Sequence, residues 1–117
     1  MQTSSKIENA DGLLPWKSRL ERIKEYVLAN LAADLSAGTV AEKFGLTEST
    51  LRYLFQSEED ESFHTYVERI RMNKAVQLLS EGKWVKEVMR EAGYKNRSTF
   101  NNAFKKRFKH SPAFFKK

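Results

Sequence analysis

An all-α fold of seven helices, two helix-turn-helix subdomains joined by a long linker helix, is predicted by three observations. Apolar residues recur at three- and four-residue steps along most of the chain. Capping Ser, Thr and Asn residues and helix-ending glycines punctuate those stretches. One pattern occurs twice: Val40-Ala41-x-x-x-Gly45 runs into Ser49-Thr50-Leu51-x-x-Leu54-Phe55, and Val88-Met89-x-x-x-Gly93 runs into Ser98-Thr99-Phe100-x-x-x-Phe104. The glycines are 48 positions apart and Phe55 and Phe104 are 49 apart, so the second copy has one extra residue in its turn. No segment reads as a strand.

The elements follow in order. Residues 1–17 are a polar, flexible tail ending near Gly12 and Pro15. The first helix starts near Trp16–Ser18, with Leu20, Ile23, Val27 and Leu31 in one apolar stripe. Ser36 caps the second helix, which ends before Gly45; Gly38 in its first turn weakens it mildly. Thr47 caps a third helix through Phe55 or Gln56, with Leu51, Leu54 and Phe55 inward. Glu58-Glu59-Asp60-Glu61 is an acidic loop. Ser62 caps the longest helix, to about Ser80, with Phe63, Tyr66, Val67, Ile70, Ala75, Leu78 and Leu79 at helical spacing. The fifth helix runs from about Trp84 to Ala92, with Val85 and Val88 inward. Asn96 caps the sixth, whose Phe100, Phe104 and Phe108 form a core edge. Ser111-Pro112 starts a short seventh helix. The expected division is a tail at 1–17, a first helix-turn-helix unit at 18–60, a linker helix at 61–82 and a second unit at 83–117.

Composition narrows the function. The 117 residues are 40% apolar and include eight Phe, enough for a core. The absence of Cys excludes disulfides, thiolate zinc sites and Cys nucleophiles. No apolar run approaches the ~18 residues of a membrane span. The leader Met1-Gln2-Thr3-Ser4-Ser5 lacks the blocks of a signal peptide, so a soluble, cytoplasmic protein is expected, with no membrane partner. His64 and His110 have no spaced acidic partner or adjacent nucleophile. Neither a metal, nor a cofactor, nor an enzyme is expected. Trp16 and Trp84 are expected to be core or packing residues.

Charge is distributed unevenly. Residues 1–61 carry seven Lys/Arg and eleven Asp/Glu, a net −4; residues 62–117 carry fourteen and four, a net +10. A basic half is an electrostatic footprint for a polyanion. Charge alone also fits an ordinary solvated surface. The repeated helix-turn-helix makes double-stranded DNA the expected partner.

From Leu20 to Phe115 the chain resembles the DNA-binding domain of the AraC/XylS family of bacterial transcription regulators. The signature is Val88-Met89-Arg90-Glu91-Ala92-Gly93-Tyr94, then Ser98-Thr99-Phe100, Phe104-Lys105-Lys106, Ser111-Pro112 and Phe115. Tyr66-Val67-x-x-x-Arg71-Met72-x-x-Ala75-x-x-Leu78-Leu79 resembles that family's linker helix. The chain departs from the pattern at Met89, where the family has a small residue, and at His110, where Gly is common. It departs also at the acidic loop and at Tyr53, where Arg is common. The resemblance implies a sequence-specific regulator of transcription, an activator, with RNA polymerase as a partner. Family members often add a sensing or dimerisation domain, which seventeen leading residues cannot form. Met1 and the leader suit a stand-alone regulator; the other reading is a fragment.

A helix in the major groove offers one outward stripe to base edges. The candidate base-reading residues are Ser49, Arg52 and Tyr53 on the third helix, and Arg97, Ser98, Asn101 and Asn102 on the sixth. Arg can bond two acceptors of guanine and Asn can pair bidentately with adenine. Thr47, Thr50, Lys95, Asn96, Thr99, Lys105 and Lys106 are candidates for the DNA backbone. Two such helices in one chain imply binding as a monomer, in major grooves about one helical turn, ~34 Å, apart. The alternative is a protein-interaction module, or the detached DNA-binding part of a two-domain sensor, with weak DNA reading of its own.

Overall fold

Capping chemistry and apolar spacing produce seven helices and no strand among the described residues. The structure, a computed structural model, describes residues 15–117, with side chains from residue 19 onward. Helix α1 is Pro15–Ala29, α2 Ala37–Lys43, α3 Glu48–Glu58, α4 Phe63–Ser80, α5 Val85–Glu91, α6 Arg97–Phe108 and α7 Pro112–Phe115. The expected tail lies outside the described residues through residue 14, as does the side chain of Trp16. Helix α1 begins at Pro15, where a fixed φ and a missing N–H suit the first helical position. Helix α3 runs to Glu58, past the expected end at Phe55 or Gln56, so the acidic run opens inside its last turn. Beyond it, Glu59 bonds Lys24 of α1 at 2.9 Å and Asp60 takes the left-handed conformation at φ 56°. None of these helices is long and apolar enough to cross a membrane.

The chain divides into two units. The first comprises residues 15–29 and Ser36–Phe63, the second Asn30–Leu35 and His64–Lys117. In the first, Leu20, Ile23 and Val27 of α1, Val40 and Ala41 of α2, and Leu51, Leu54 and Phe55 of α3 are buried. Phe63 closes on Phe55 edge to face, centroids 5.0 Å apart. In the second, Met72, Ala75, Leu78 and Leu79 of α4 pack with Val88, Ala92, Phe100 and Phe104. Phe108 and Phe115 lie against Phe104, with centroids at 4.7 and 5.6 Å.

Most expected core positions are buried; one reading on α4 and two beyond it are corrected. Ile70 is only half-buried, whereas Met72 is fully buried. The buried face turns along α4, from Phe63, Tyr66 and Val67 near its start to Met72, Ala75 and Leu79 near its end. Ile70 keeps the phase of the first set and so leaves the core. Trp84 is not a core residue: it is 69% exposed, with the Lys116 ammonium 4.5 Å from its ring centroid. Ser111 occupies the N-cap of α7 but makes no side-chain cap bond there.

The two turns close with the same pair of bonds. At the end of α2, Leu46 N–H donates to Ala41 C=O at 2.8 Å and Gly45 N–H to Glu42 C=O at 3.2 Å. At the end of α5, Tyr94 N–H donates to Met89 C=O at 2.9 Å and Gly93 N–H to Arg90 C=O at 3.0 Å. This double bond pattern needs a left-handed residue at its centre, and Gly45 (φ 68°) and Gly93 (φ 97°) supply it. The next helices start alike. Thr47 Oγ1 accepts from Thr50 N–H at 3.1 Å, and Asn96 Oδ1 accepts from Thr99 N–H at 2.9 Å.

The glycines differ in their surroundings. A Cβ on Gly45 would meet nothing within 4 Å. A Cβ on Gly93 would stand 1.9 Å from the Leu31 carbonyl oxygen and 2.7 Å from Arg71 Nε. That carbonyl accepts from Arg71 Nε at 3.2 Å and Nη2 at 3.0 Å, and Nη2 also donates to Ala33 C=O at 3.1 Å. Burial lowers the Arg71 pKa, opposed by Tyr94 and Asp34. The Tyr94 ring lies 5.8 Å from the guanidinium carbon. Burial raises the Tyr94 phenol pKa, Glu68 adds to the rise, and Arg71 and Arg107 oppose it.

Three outcomes follow from this packing. Gly45→Ala should cost about 1–2 kcal/mol, the left-handed strain alone. Gly93→Ala should cost about 2–5 kcal/mol, because overpacking against backbone adds to that strain; denaturant melts of the two variants check the difference. Phe100→Ala and Phe104→Ala should each cost about 3–5 kcal/mol, since both rings are wholly buried, and unchanged melting temperatures would contradict their place in the core. The folded state holds the Tyr94 proton more tightly than the unfolded chain. Its contribution is therefore full below the ordinary phenol value of about 10 and lost as pH rises through the higher folded value. Melting temperature should fall over that alkaline range, and less so in Tyr94→Phe.

Candidate nucleic-acid interface

Each unit places the second helix of its helix-turn-helix with an apolar side inward and a polar side outward. A helix turns about 100° per residue. On α3, Leu51, Leu54 and Phe55 are buried, which turns Ser49, Tyr53 and Gln56 to the opposite side. Ser49, Arg52 and Tyr53 are all exposed, Tyr53 by 71%. Thr50 is half-buried and Thr47 exposed. Gln56, exposed on the same stripe, was not among the residues expected from sequence. Its signal was its position, one turn beyond Arg52.

On α6 the buried Phe100 and Phe104 define the inner side, and Asn102 stands opposite them. Asn102 is exposed and Asn101 is half-buried on the flank. Spacing alone left the two asparagines equivalent; burial separates them. Arg97, Ser98, Lys105 and Lys106 are exposed along the same helix, as are Lys95, Asn96 and Thr99 at its entrance. Ser49 and Tyr53 thus stand on the outer side of α3, and Ser98, Asn102, Lys105 and Lys106 on that of α6, whereas Thr50 and Asn101 are half-buried and Arg97, two turns before Phe104, shares the phase of the inner side at the exposed start of its helix.

Two expected backbone-contact residues have a prior task. Thr47 and Asn96 spend a side-chain oxygen on the N–H of the third residue of their own helix. Thr47 Oγ1 also lies 2.9 Å from Thr50 Oγ1. These bonds satisfy one donor each; the other amides at a helix start have no partner within the helix and point along its axis.

The faces differ electrostatically. Helix α6 carries Arg97, Lys105, Lys106 and Arg107 and no acidic residue. On α3, Arg52 pairs with Glu48, one turn earlier on the same helix. That pair leaves the outer face of α3 near neutral. Of the two histidines, His64 is exposed, and His110 stacks on Phe114 at 4.0 Å and 9°. No group of three His, Cys, Asp or Glu suited to a metal ion occurs among the described residues.

Comparison with known proteins adds family membership to this geometry. A family model of a helix-turn-helix domain matches residues 40–117. The chain is 26% identical to the Msm operon regulatory protein of Streptococcus mutans, over 86% of this chain and 37% of that protein. It is 26% identical to the regulatory protein PocR of Salmonella typhimurium, over 98% of this chain and 38% of that protein. The chain therefore spans less than two-fifths of the length of these two relatives. Among solved structures, the C-terminal domain of AraT, a response regulator of Geobacillus stearothermophilus, aligns with a TM-score of 0.78 at 28% identity, covering 83% of this chain and 82% of that one. The C-terminal domain of the response regulator yesN of Fusobacterium nucleatum aligns with a TM-score of 0.79 over 86% and 99%, and at 22% identity it speaks to the fold. The repeated turn, the two capped helices and these matches agree: the chain belongs to the AraC-type helix-turn-helix family of DNA-binding domains.

Proposed function

We propose that the chain is a sequence-specific regulator of transcription that reads double-stranded DNA with α3 and α6 in successive major grooves. The observation that carries this reading is the repeat itself: two helix-turn-helix units with matching turn bonds and caps, each turning a polar face of its second helix outward. One chain then reads an asymmetric site. Arg97, Ser98, Asn101 and Asn102 read bases from α6, and Ser49, Arg52 and Tyr53 from α3. Thr47, Thr50, Lys95, Asn96, Thr99, Lys105 and Lys106 hold the backbone. Regulation is by activation, through contact with RNA polymerase on the acidic first half, and the site of action is the cytoplasm.

A second reading has support of its own. The Glu48–Arg52 pair and Tyr53 leave α3 without a free cation on its outer stripe, which favours a module that binds another protein and reads DNA weakly. The 37% and 38% coverage of the relatives favours the DNA-binding part of a longer, two-domain protein.

Binding isotherms on a selected and a scrambled duplex, at two salt concentrations, separate these readings. Arg97→Ala and Asn102→Ala should each weaken the selected site by about 1–3 kcal/mol and relax preference at one base pair. Lys106→Ala should weaken both duplexes alike and flatten the salt slope. Arg52→Ala should cost less than Arg97→Ala. Absence of salt-dependent binding would leave the protein-interaction module. Sedimentation of the complex should find one chain on the minimal site; two chains would contradict monomeric reading.

A further inference from the structure

The first turn of α3 carries an arrangement that α6 lacks. One oxygen of the Glu48 carboxylate, Oε2, pairs with the Arg52 guanidinium. The other, Oε1, would lie 3.2 Å from a Cβ on Gly38, so the carboxylate rests against the bare backbone at the start of α2. Gly38 is a poor helix former, and the room it leaves is where this carboxylate sits. The pair is open to solvent, with 62% of the Arg52 side chain and 46% of the Glu48 side chain exposed. Counted from the caps Thr47 and Asn96, the positions of Glu48 and Arg52 are those of Arg97 and Asn101 in α6. The two helices share a frame and oppose each other in charge at its first position.

A free arginine on the outer face adds a charge that any phosphate attracts. Paired with Glu48, Arg52 adds almost none. Moving it to a phosphate would leave the carboxylate uncompensated beside a polyanion. A base edge in the major groove treats the pair differently. Guanine presents two acceptors, O6 and N7, and its partner cytosine presents an amino donor beside them. Arg52 can serve the acceptors while Glu48 accepts from the cytosine amino group, and the two side chains stay neighbours.

We propose that Glu48 is a specificity-determining residue of the first unit, and that Glu48 and Arg52 read one G·C pair together while withholding Arg52 from phosphates. This rests on the DNA-reading function proposed above. It explains why a recognition helix begins with an acid: Glu48 lowers affinity for DNA in general and preserves affinity for a G·C pair at one position. A brace that only stabilises the helix through an i,i+4 pair would leave DNA selection untouched.

The test is selection of duplexes from a random pool by the full chain, by Glu48→Gln, by Arg52→Gln and by the double variant. Isotherms follow on the duplex selected by the unmutated chain, on that duplex with G·C exchanged for A·T at single positions, and on a scrambled duplex. The unmutated chain should select one invariant G·C pair in the half-site of the first unit. Glu48→Gln should bind the scrambled duplex roughly three- to tenfold more tightly, with a salt slope steeper by about 0.9, the value of one added phosphate contact. It should also lose preference for that G·C pair. Arg52→Gln should lose the same preference, and the double variant should lose nothing further, since the two act as a unit. Thermal melts report the helix separately. A lower melting temperature for Glu48→Gln with unchanged scrambled affinity, slope and selected bases would overturn the proposal, as would a G·C preference that survives Arg52→Gln. If the unmutated chain retains no duplex, the DNA-reading function itself fails, and the proposal with it. That result is distinct from a selected site indifferent to Glu48.

Discussion

The carbonyl of Leu31 is the point on which the second unit depends. It lies just past the end of α1, where helix carbonyls have no partner within the helix. Arg71 supplies that partner from α4, with two donors on this one oxygen and a further bond to Ala33 C=O. Gly93 of the second turn brings its backbone against the same oxygen, closer than any side chain permits. Three segments far apart in sequence thus meet at one peptide group. The meeting fixes where the turn sits and the direction in which α6 leaves it. Tyr94, next in the chain, lies over Arg71 on one side and packs against Phe100 at 5.5 Å on the other. The outward face of α6 is set by these contacts.

The first turn reaches the same geometry with no such constraint. Gly45 is open on its Cβ side, and its left-handed φ serves the turn alone. The repeat is therefore one local solution in two settings. Turn bonds and caps match because they depend on residues within a few positions of each other. What the helices present outward does not match. An acid and an arginine, paired, stand in α3 where an arginine and an asparagine stand in α6. A shared scaffold with unlike outer faces is what the proposed reading of two different half-sites requires.

The reach of the sequence ended at the same boundary between local and distant. The caps at Ser36, Thr47 and Asn96 were legible because a cap is written within four residues, and all three bond as expected. The inward aromatics of α6 were legible from helical spacing. Arg71 and the partner of Gly93 were not, since their contacts with Leu31 span 40 and 62 positions and no periodicity records them. Trp84, expected to be core or packing, has an exposed ring with a lysine from the far end of the chain over it. The outer faces of α3 and α6 followed from their inner faces. Spacing did not separate Asn101 from Asn102, as burial does, and the Glu48–Arg52 pair, though visible as an i,i+4 spacing, did not show its carboxylate in place against Gly38. Net charge by halves did not reveal that the outer face of α3 is near neutral.

The central claim, that one chain reads DNA through two unlike helices, is tested most directly by base-modification interference on the selected duplex. The account predicts two windows of major-groove interference on one face, centred 10–10.5 base pairs apart, about one helical turn. It predicts that Asn102→Ala erases contacts in one window only and Arg52→Gln in the other only. A single window, or two windows that fade together with either substitution, would contradict it.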